Sequence, residues 1–546
     1  MNLKTGKKDL IASCVTTIVF LTIVLIGLIF HETWYDEVQA YLIARDASLH
    51  DILFYIPHYE GHPPLWHLLL KGVIALGVPF PFSLKAVQFA LYAAVIVIIE
   101  FRSPFSRLMK TIIPMSFYLL YQYAVVSRPY ILLALGCLLT AMAYKKRKEK
   151  PALYIAALFV MCLSHSYGIA LAGGIVLGDI IGECIRQRSI KKGALDVLTN
   201  KKLLLCYIIL LAGALAIIAE IMPRSDTFGT SIVRSRSHSV IVSFLLSWFY
   251  VPSENLFTSF SSQLISLQNE SNPIGEVIGA VLISSAVWAV LLRICYKRRM
   301  IAELLIPYLC VSFLITSYSY AHHFGVFIMF MMYILWVASE KAPIRLSEFS
   351  EPLVKAGLSE SFIKKTIPVI GAAFVCVNLY WDGCSYYNEL TKPYDAAPGL
   401  ADWIKENDLE DKKLLASWSK SDSHVFTASA YASEAYFDKN IYYNIYKDQS
   451  YMSHIMATEE DMEKEYEYMR SFGAPDYMIC DSPSETIGIC KILQLDEKYN
   501  AEAYAGKGVK IFKDKTITND VFVCCTKDTY RELYGRDYVL PSYKES

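Results

Sequence analysis

The chain has 546 residues, 54% of them hydrophobic, and its 52 basic and 52 acidic side chains cancel. A neutral balance gives no electrostatic footprint for nucleic acid. Continuous apolar runs of spanning length exclude an all-β barrel and indicate an α-helical polytopic membrane protein.

The first run, Leu10–Phe30, follows Lys4, Lys7 and Lys8. It is too long for a signal h-region and no small-x-small cleavage site follows it, so it reads as an uncleaved helix. Basic clusters then set sidedness. The N-terminal lysines place the start inside and residues 31–82, the first external loop, outside. Ser83–Phe101 returns, stopped by Arg102, Arg107 and Lys110, Leu108–Val126 goes out, and Pro129–Tyr144 comes in to the "KKRKEK" of 145–150. Leu153–Ser166 and Gly168–Cys184 make the next pair, closed by the basic stretch 186–202. Leu203–Met222, Ile274–Tyr296, Ala302–Tyr320, His323–Ser339 and Ile367–Trp381 bring the expected count to eleven spans.

That parity requires "HPPLWHLLLKGVIALGVPF" (62–80), with His67 and Lys71 in its middle, to lie in the outer interface. A short true span there would invert every later loop. The external loop 223–273 opens with Arg224, Arg234 and Arg236. Its apolar, aromatic segment 244–257 is interrupted by Pro252 and reads as interfacial too. From about Cys384 the chain turns charged and tyrosine-rich. "KLLASWS" (413–419), "PDYMICD" (475–481) and "DVFVCCT" (520–526) read as buried strands and 459–472 as a helix. The expected organisation is a membrane module, 1–382, followed by an extracytoplasmic soluble α/β domain, 383–546. The thirteen cysteines are scattered without a CxxC pair, so a zinc knuckle is not expected.

Reactive residues gather at the outer span ends. Asp36 and Glu37 open an amphipathic stretch behind Trp34 and Tyr35, and His58, Glu60 and His62 share their loop. Arg128 begins a span in "SRPY", His165 and Tyr167 sit in "SHSYG", and His322 and His323 in "YAHHFG". Each has a plainer alternative. A rim arginine anchors to headgroups, a histidine can be structural, acids gather at helix N-termini, and Glu32 reads as an exposed loop carboxylate. His58, Glu60 and His62 have metal-ligand spacing, but Gly61 and Pro63 spoil a helical i, i+4 pair.

The aromatic-x-D-E element at 34–37, the H-P-P-L element at 62–65 and R-P-Y at 128–130 resemble the GT-C membrane glycosyltransferases, over roughly residues 1–340. The branch is that of the protein O-mannosyltransferases and lipid A aminoarabinose transferases (family 39 type). The resemblance implies a GT-C-like fold in the plasma membrane and transfer of a sugar from a polyprenyl-phosphate donor to a glycan, lipid or protein acceptor on the outer face. It implies Asp36, with Glu37, as the catalytic carboxylate. His62 stands where the aminoarabinose transferases carry a lysine before the prolines. By chemistry, Asp36 suits the base that takes the acceptor proton and Arg128 the phosphate ligand. His62, His165, Tyr167, His322 and His323 would line the substrate site, and Trp34 and Tyr35 suit the interface or the sugar. Direct displacement would invert the anomeric centre. No cofactor is required, and a divalent metal stays open. The rival readings are a transporter or flippase of lipid-linked sugars, a polysaccharide polymerase or ligase, and a non-enzymatic assembly protein.

Overall fold

The computed structural model describes residues 7–191, 199–227, 239–257, 273–317, 320–345, 347–355, 357, 359–418, 428–444, 459–512 and 515–539. Arg234 and Arg236 lie outside the described residues. The protein is mostly helical, with a small C-terminal sheet. Seven helical segments among the described residues are long and apolar enough to cross a membrane, which makes this a multi-pass membrane protein. They are Lys7–Phe30, Phe82–Arg102, Ser166–Arg186, Lys201–Ile221, Val240–Phe257, Val277–Lys297 and Glu360–Thr391. The expected runs at Tyr130–Tyr144, Pro151–Ser164, Ile301–Ser317 and Val326–Lys341 form helices of 14 to 17 residues. Segment 62–80 holds only the 11-residue helix Leu65–Ala75, about 16 Å long and too short to cross. Lys71 in that helix bonds the carbonyls of Ala44 and Ala47.

Three expectations change. The run 108–126 is not one helix but a short helix, Arg107–Ile112, a 3₁₀ turn, Ile113–Met115, and a π turn, Tyr118–Gln122. Pro114 has no N–H to continue a helix. The backbone groups this frees are buried and find partners on neighbouring helices. Asn378 Oδ1 accepts from Phe117 N at 2.9 Å, Gln88 donates to the Tyr123 carbonyl at 2.6 Å, and the Tyr386 hydroxyl donates to the Leu120 carbonyl at 3.1 Å. Irregular backbone at membrane depth survives only where protein satisfies it. That explains Gln88 and Asn378 inside apolar helices. Second, 240–257 counts as a candidate span where the sequence suggested an interfacial segment. It consists of helices Val240–Phe249 and Val251–Phe257, bent at Tyr250, and Pro252 sits in the first turn of the second, where it costs no hydrogen bond. Third, the last long helix continues to Thr391, past the expected boundary at 382/383. Its end is held by packing of Tyr386 and by Glu389, described below.

The two ends of the bundle differ. At one end arginines close ion pairs: Arg107 with Glu100 (2.6 Å), Arg147 with Asp179 (2.7 Å), Arg298 with Glu348 (2.9 Å), and Arg186 with Glu303. Ser13 and Arg107, 2.9 Å apart, join the start of the first helix to this end. The Lys85–Ile29 bond joins the start of the 82–102 helix to the other. That other end carries residues 31–81, the 127–129 turn, the 165 turn and the 322–323 turn.

Past Lys392 the chain builds a four-stranded sheet of order β1-β2-β4-β3, from β1 (Leu414–Ala416), β2 (Tyr477–Cys480), β3 (Ala501–Phe512) and β4 (Lys515–Cys525). β1 and β2 are parallel, and β2–β4 and β4–β3 antiparallel. The three expected strands and the helix Glu459–Ser471 are present. β3 is additional, because its alternation of small and charged residues hides it. Helix Ala397–Glu406 buries Leu400, Ala401 and Ile404 against the sheet, the i, i+1, i+4 stripe of an amphipathic helix.

Candidate functional site

The element 31–37 is built around a buried histidine. The first helix ends at Phe30, and the helix Tyr35–Asp46 starts at a capping box in which Glu37 accepts the backbone N–H of Trp34 at 2.8 Å. Glu37 is fully buried. It also accepts from Ser127 N at 2.6 Å and from His31 Nε2 at 3.0 Å. The other ring nitrogen of His31 lies 3.0 Å from Glu389, which further accepts from the Tyr121 hydroxyl at 2.5 Å. Burial would lower the His31 pKa, but Glu389 and Glu37 push it up to about 10, so the ring is an imidazolium donating to both carboxylates. Burial would raise Glu37, yet the charge of His31 and the donated N–H groups hold it below the usual range. Glu37 is thus a saturated acceptor that fixes the 31–37 turn to the Ser127–Arg128 turn.

Asp36 differs. Its side chain is 47% exposed, so a bound molecule can reach it from solvent. Arg128, held in place by the Ser127 anchor, donates through Nη1 to the Asp36 carbonyl at 2.9 Å and stands 3.7 Å from its carboxylate. The Nε and Nη2 of Arg128 make no hydrogen bond to a described residue, so paired donors remain for an anion.

Behind Arg128 the four expected histidines come together from three distant turns. The ring of His62 lies 4.6 Å from that of His165, which stacks on Tyr167 at 4.9 Å. His323 lies 4.3 Å from His322 and 5.4 Å from Tyr167, and Tyr130 contacts His165, His322 and His323 at 5.0 to 6.0 Å. His165 Nδ1 caps the Ser166–Arg186 helix by accepting from Tyr167 N at 3.2 Å. His323 Nδ1 accepts from Tyr320 N at 2.9 Å. Burial, then repulsion from neighbouring charge including Arg128, lowers His165 and His322 to about 3 and puts His62 and His323 well below the ordinary value. All four are neutral near pH 7. His62 Nδ1 and His165 Nε2 are buried without a hydrogen-bond partner, two polar atoms available to a bound molecule.

Other expected residues go elsewhere. His58 Nδ1 faces the Met222 carbonyl at 2.9 Å, Glu60 takes a hydrogen bond from Gln39, and His62 turns to His165. The metal-ligand spacing therefore does not become a shared centre, because Gly61 ends the short helix with φ +65° and sends His62 away. Among the described residues no group of three or more His, Cys, Asp or Glu side chains is arranged to hold a metal. Trp34 and Tyr35 contact the C-terminal unit, with ring distances of 6.2 Å to Tyr394 and 5.1 Å to Tyr431. Glu32 is not a free surface acid. It is half-buried and accepts from Asp395 N at 3.0 Å.

Three residues here escape the sequence reading. His31 lies at the start of the 31–37 turn, and its signal was a histidine six residues before a glutamate. Glu389 and Lys510 gave none, since they lie hundreds of residues away. The Lys510 ammonium on β3 sits 4.0 Å from the centre of the Trp34 ring and 5.8 Å from that of Tyr394.

No protein-family model and no curated protein matches this chain.

Proposed function

We propose that this protein is a GT-C-like glycosyltransferase of the plasma membrane, moving a sugar from a polyprenyl-phosphate carrier to a glycan, lipid or protein acceptor at the outer rim. The observation that carries this reading is the pairing of an exposed carboxylate, Asp36, with a guanidinium, Arg128, whose remaining donors are open. The polyprenyl phosphate is itself a good leaving group, so the step needs mainly a base and a cation. Asp36 takes the proton of the acceptor hydroxyl. The acceptor oxygen bonds to the anomeric carbon as the carbon–phosphate oxygen bond breaks, and the phosphate leaves with that electron pair onto Arg128. One displacement inverts the centre. The neutral histidines offer hydrogen bonds to sugar hydroxyls without competing for the phosphate charge.

A further support is an apolar groove of about 380 Å³ lined by Val242, Leu245, Phe249, Tyr250, Val277 and Val281. Its Tyr250 ring lies 6.0 Å from Phe324, next to His323, so a prenyl tail there would run toward the site. On this reading the arginine-paired end faces the cytoplasm, as its basic clusters suggest, and the C-terminal unit is extracytoplasmic.

The test is sugar transfer from a synthetic polyprenyl-phosphate donor, with donor binding measured separately. Asp36→Asn should bind donor and lose about 100-fold or more of its transfer rate. Near-parental transfer by this variant removes the base role.

The transporter reading draws on a different observation. Asp382 in the 360–391 helix is buried, and neither carboxylate oxygen has a hydrogen-bond partner. It lies seven residues before Glu389, about 10 Å deeper along the helix, where intramembrane acids mark transport pathways. Loss of lipid-linked sugar translocation in Asp382→Asn vesicles, with transfer intact, would favour that reading.

A further inference from the structure

The β3–β4 hairpin is clasped to the membrane module at the candidate site. Val509 N donates to the Pro393 carbonyl at 2.8 Å, and Gly508 lies so close to the linker that a Cβ there would meet the Asp395 and Ala396 backbone at 2.8 Å. Asp395 is in turn held by Asn519 at 3.1 Å and, through its N–H, by Glu32 of the first external loop. These contacts deliver the next residue, Lys510, onto the face of Trp34. Trp34 is adjacent to Tyr35-Asp36, and Arg128 approaches Asp36 from the bundle side. The Lys510 ammonium makes no hydrogen bond or ion pair with any described residue, although the side chain is largely withdrawn from solvent. A cation so placed, with aromatic faces for walls and no carboxylate in contact, is short of an anionic partner.

We infer that Lys510 and Arg128 form a two-cation cradle for the carrier phosphate, so that the C-terminal unit supplies part of the donor site. This rests on the transferase reading above. Burial, together with the charge of Arg128, pushes the Lys510 pKa down while Asp36, Glu37 and Asp395 oppose the shift. A bound phosphate would hold the ammonium charged. Two cations from separate parts of the fold would also make donor binding depend on docking of the hairpin.

The experiment is equilibrium binding of a long-chain polyprenyl monophosphate to the full-length protein in detergent micelles. Lys510→Met and Arg128→Ala should each weaken binding by about 10- to 100-fold, the range for losing a charged hydrogen bond. Lys510→Arg should keep most of the affinity, because a cation still reaches the phosphate. Gly508→Ala, which pushes the hairpin off the linker, should weaken binding with Lys510 intact. Parental binding by Lys510→Met, with Arg128→Ala impaired, overturns the cradle and leaves the transferase reading standing. Parental binding by both variants overturns the two together. Protease sensitivity of the 392–397 linker is followed on the same preparations. A rise with Lys510→Met would make Lys510 a latch between units and overturn its role as ligand.

Discussion

Asp36 and Glu37 are adjacent acids, and the structure separates their roles sharply enough to test by stability alone. Consider Glu37→Gln. One carboxylate oxygen receives Trp34 N (2.8 Å) and His31 Nε2 (3.0 Å), and the other receives Ser127 N (2.6 Å). A glutamine has one acceptor oxygen. In its better orientation that oxygen keeps Trp34 and His31, and the new amide turns its own N–H groups toward Ser127 N–H. One buried donor then faces a donor, which costs about 1–3 kcal/mol. The bond to His31 also loses its charged acceptor, worth about 1 kcal/mol more. His31 keeps Glu389, so the full cost of a broken buried pair is not reached. The sum is about 3 kcal/mol. Asp36→Asn, by contrast, touches a half-exposed side chain whose ion contact to Arg128 is long, at 3.7 Å, and should cost less than about 1 kcal/mol. The assay is thermal unfolding of the purified protein in detergent, comparing both variants with the parent. A clearly lowered midpoint for Glu37→Gln and a near-parental one for Asp36→Asn is the expected result. Equal midpoints for all three proteins would refute the assignment of Glu37 as the organiser of this turn.

The His31 pair makes stability depend on alkaline pH. Its folded pKa, about 10, lies above its ordinary 6.5, so its contribution is fully present below about pH 6.5 and is lost as pH rises through 10. The thermal midpoint of the parent should therefore fall toward pH 10, and a His31→Gln protein, already lower, should fall less. The histidine cluster predicts the reverse for binding. With His165 and His322 held near 3 and neutral, polyprenyl-phosphate affinity should not step between about pH 5 and about pH 8 on their account. A step that disappears in His165→Gln would contradict those neutral rings. Gly168→Ala should destabilise by about 3 kcal/mol or more, since its Cβ would meet the Met161 carbonyl oxygen at 2.0 Å. The same shift moves the His165–Tyr167 turn, so donor binding measured on the folded fraction should weaken too.

The membrane class was legible because it rests on local chemistry. Apolar run length and basic flanks are written in consecutive residues, and so were the strands at 414–416 and 477–480 and the helix at 459–471. The turns carrying Asp36, Arg128, His165 and His322–His323 were also visible, as polar residues where apolar runs end. What a linear reading could not decide was which side chain is satisfied by which. Glu37 looks as available as Asp36 until Ser127, 90 residues on, and His31 are seen to fill it. His58, Glu60 and His62 keep metal-ligand spacing on paper, and only the backbone shows Gly61 sending His62 to His165. The broken 107–126 run reads as a plain span, because its hydropathy is right and its rescue depends on Gln88, Asn378 and Tyr386 from other helices. Lys510 is the extreme case, a lysine in an ordinary strand. Only pairing of β3 with β4 and clasping of Val509 to Pro393 carry it to Trp34, across 476 residues of sequence. Run length, charge and turn chemistry are properties of neighbours in the chain. Burial, saturation of donors and the meeting of charges are properties of neighbours in space, which are fixed only when the helices and the sheet pack.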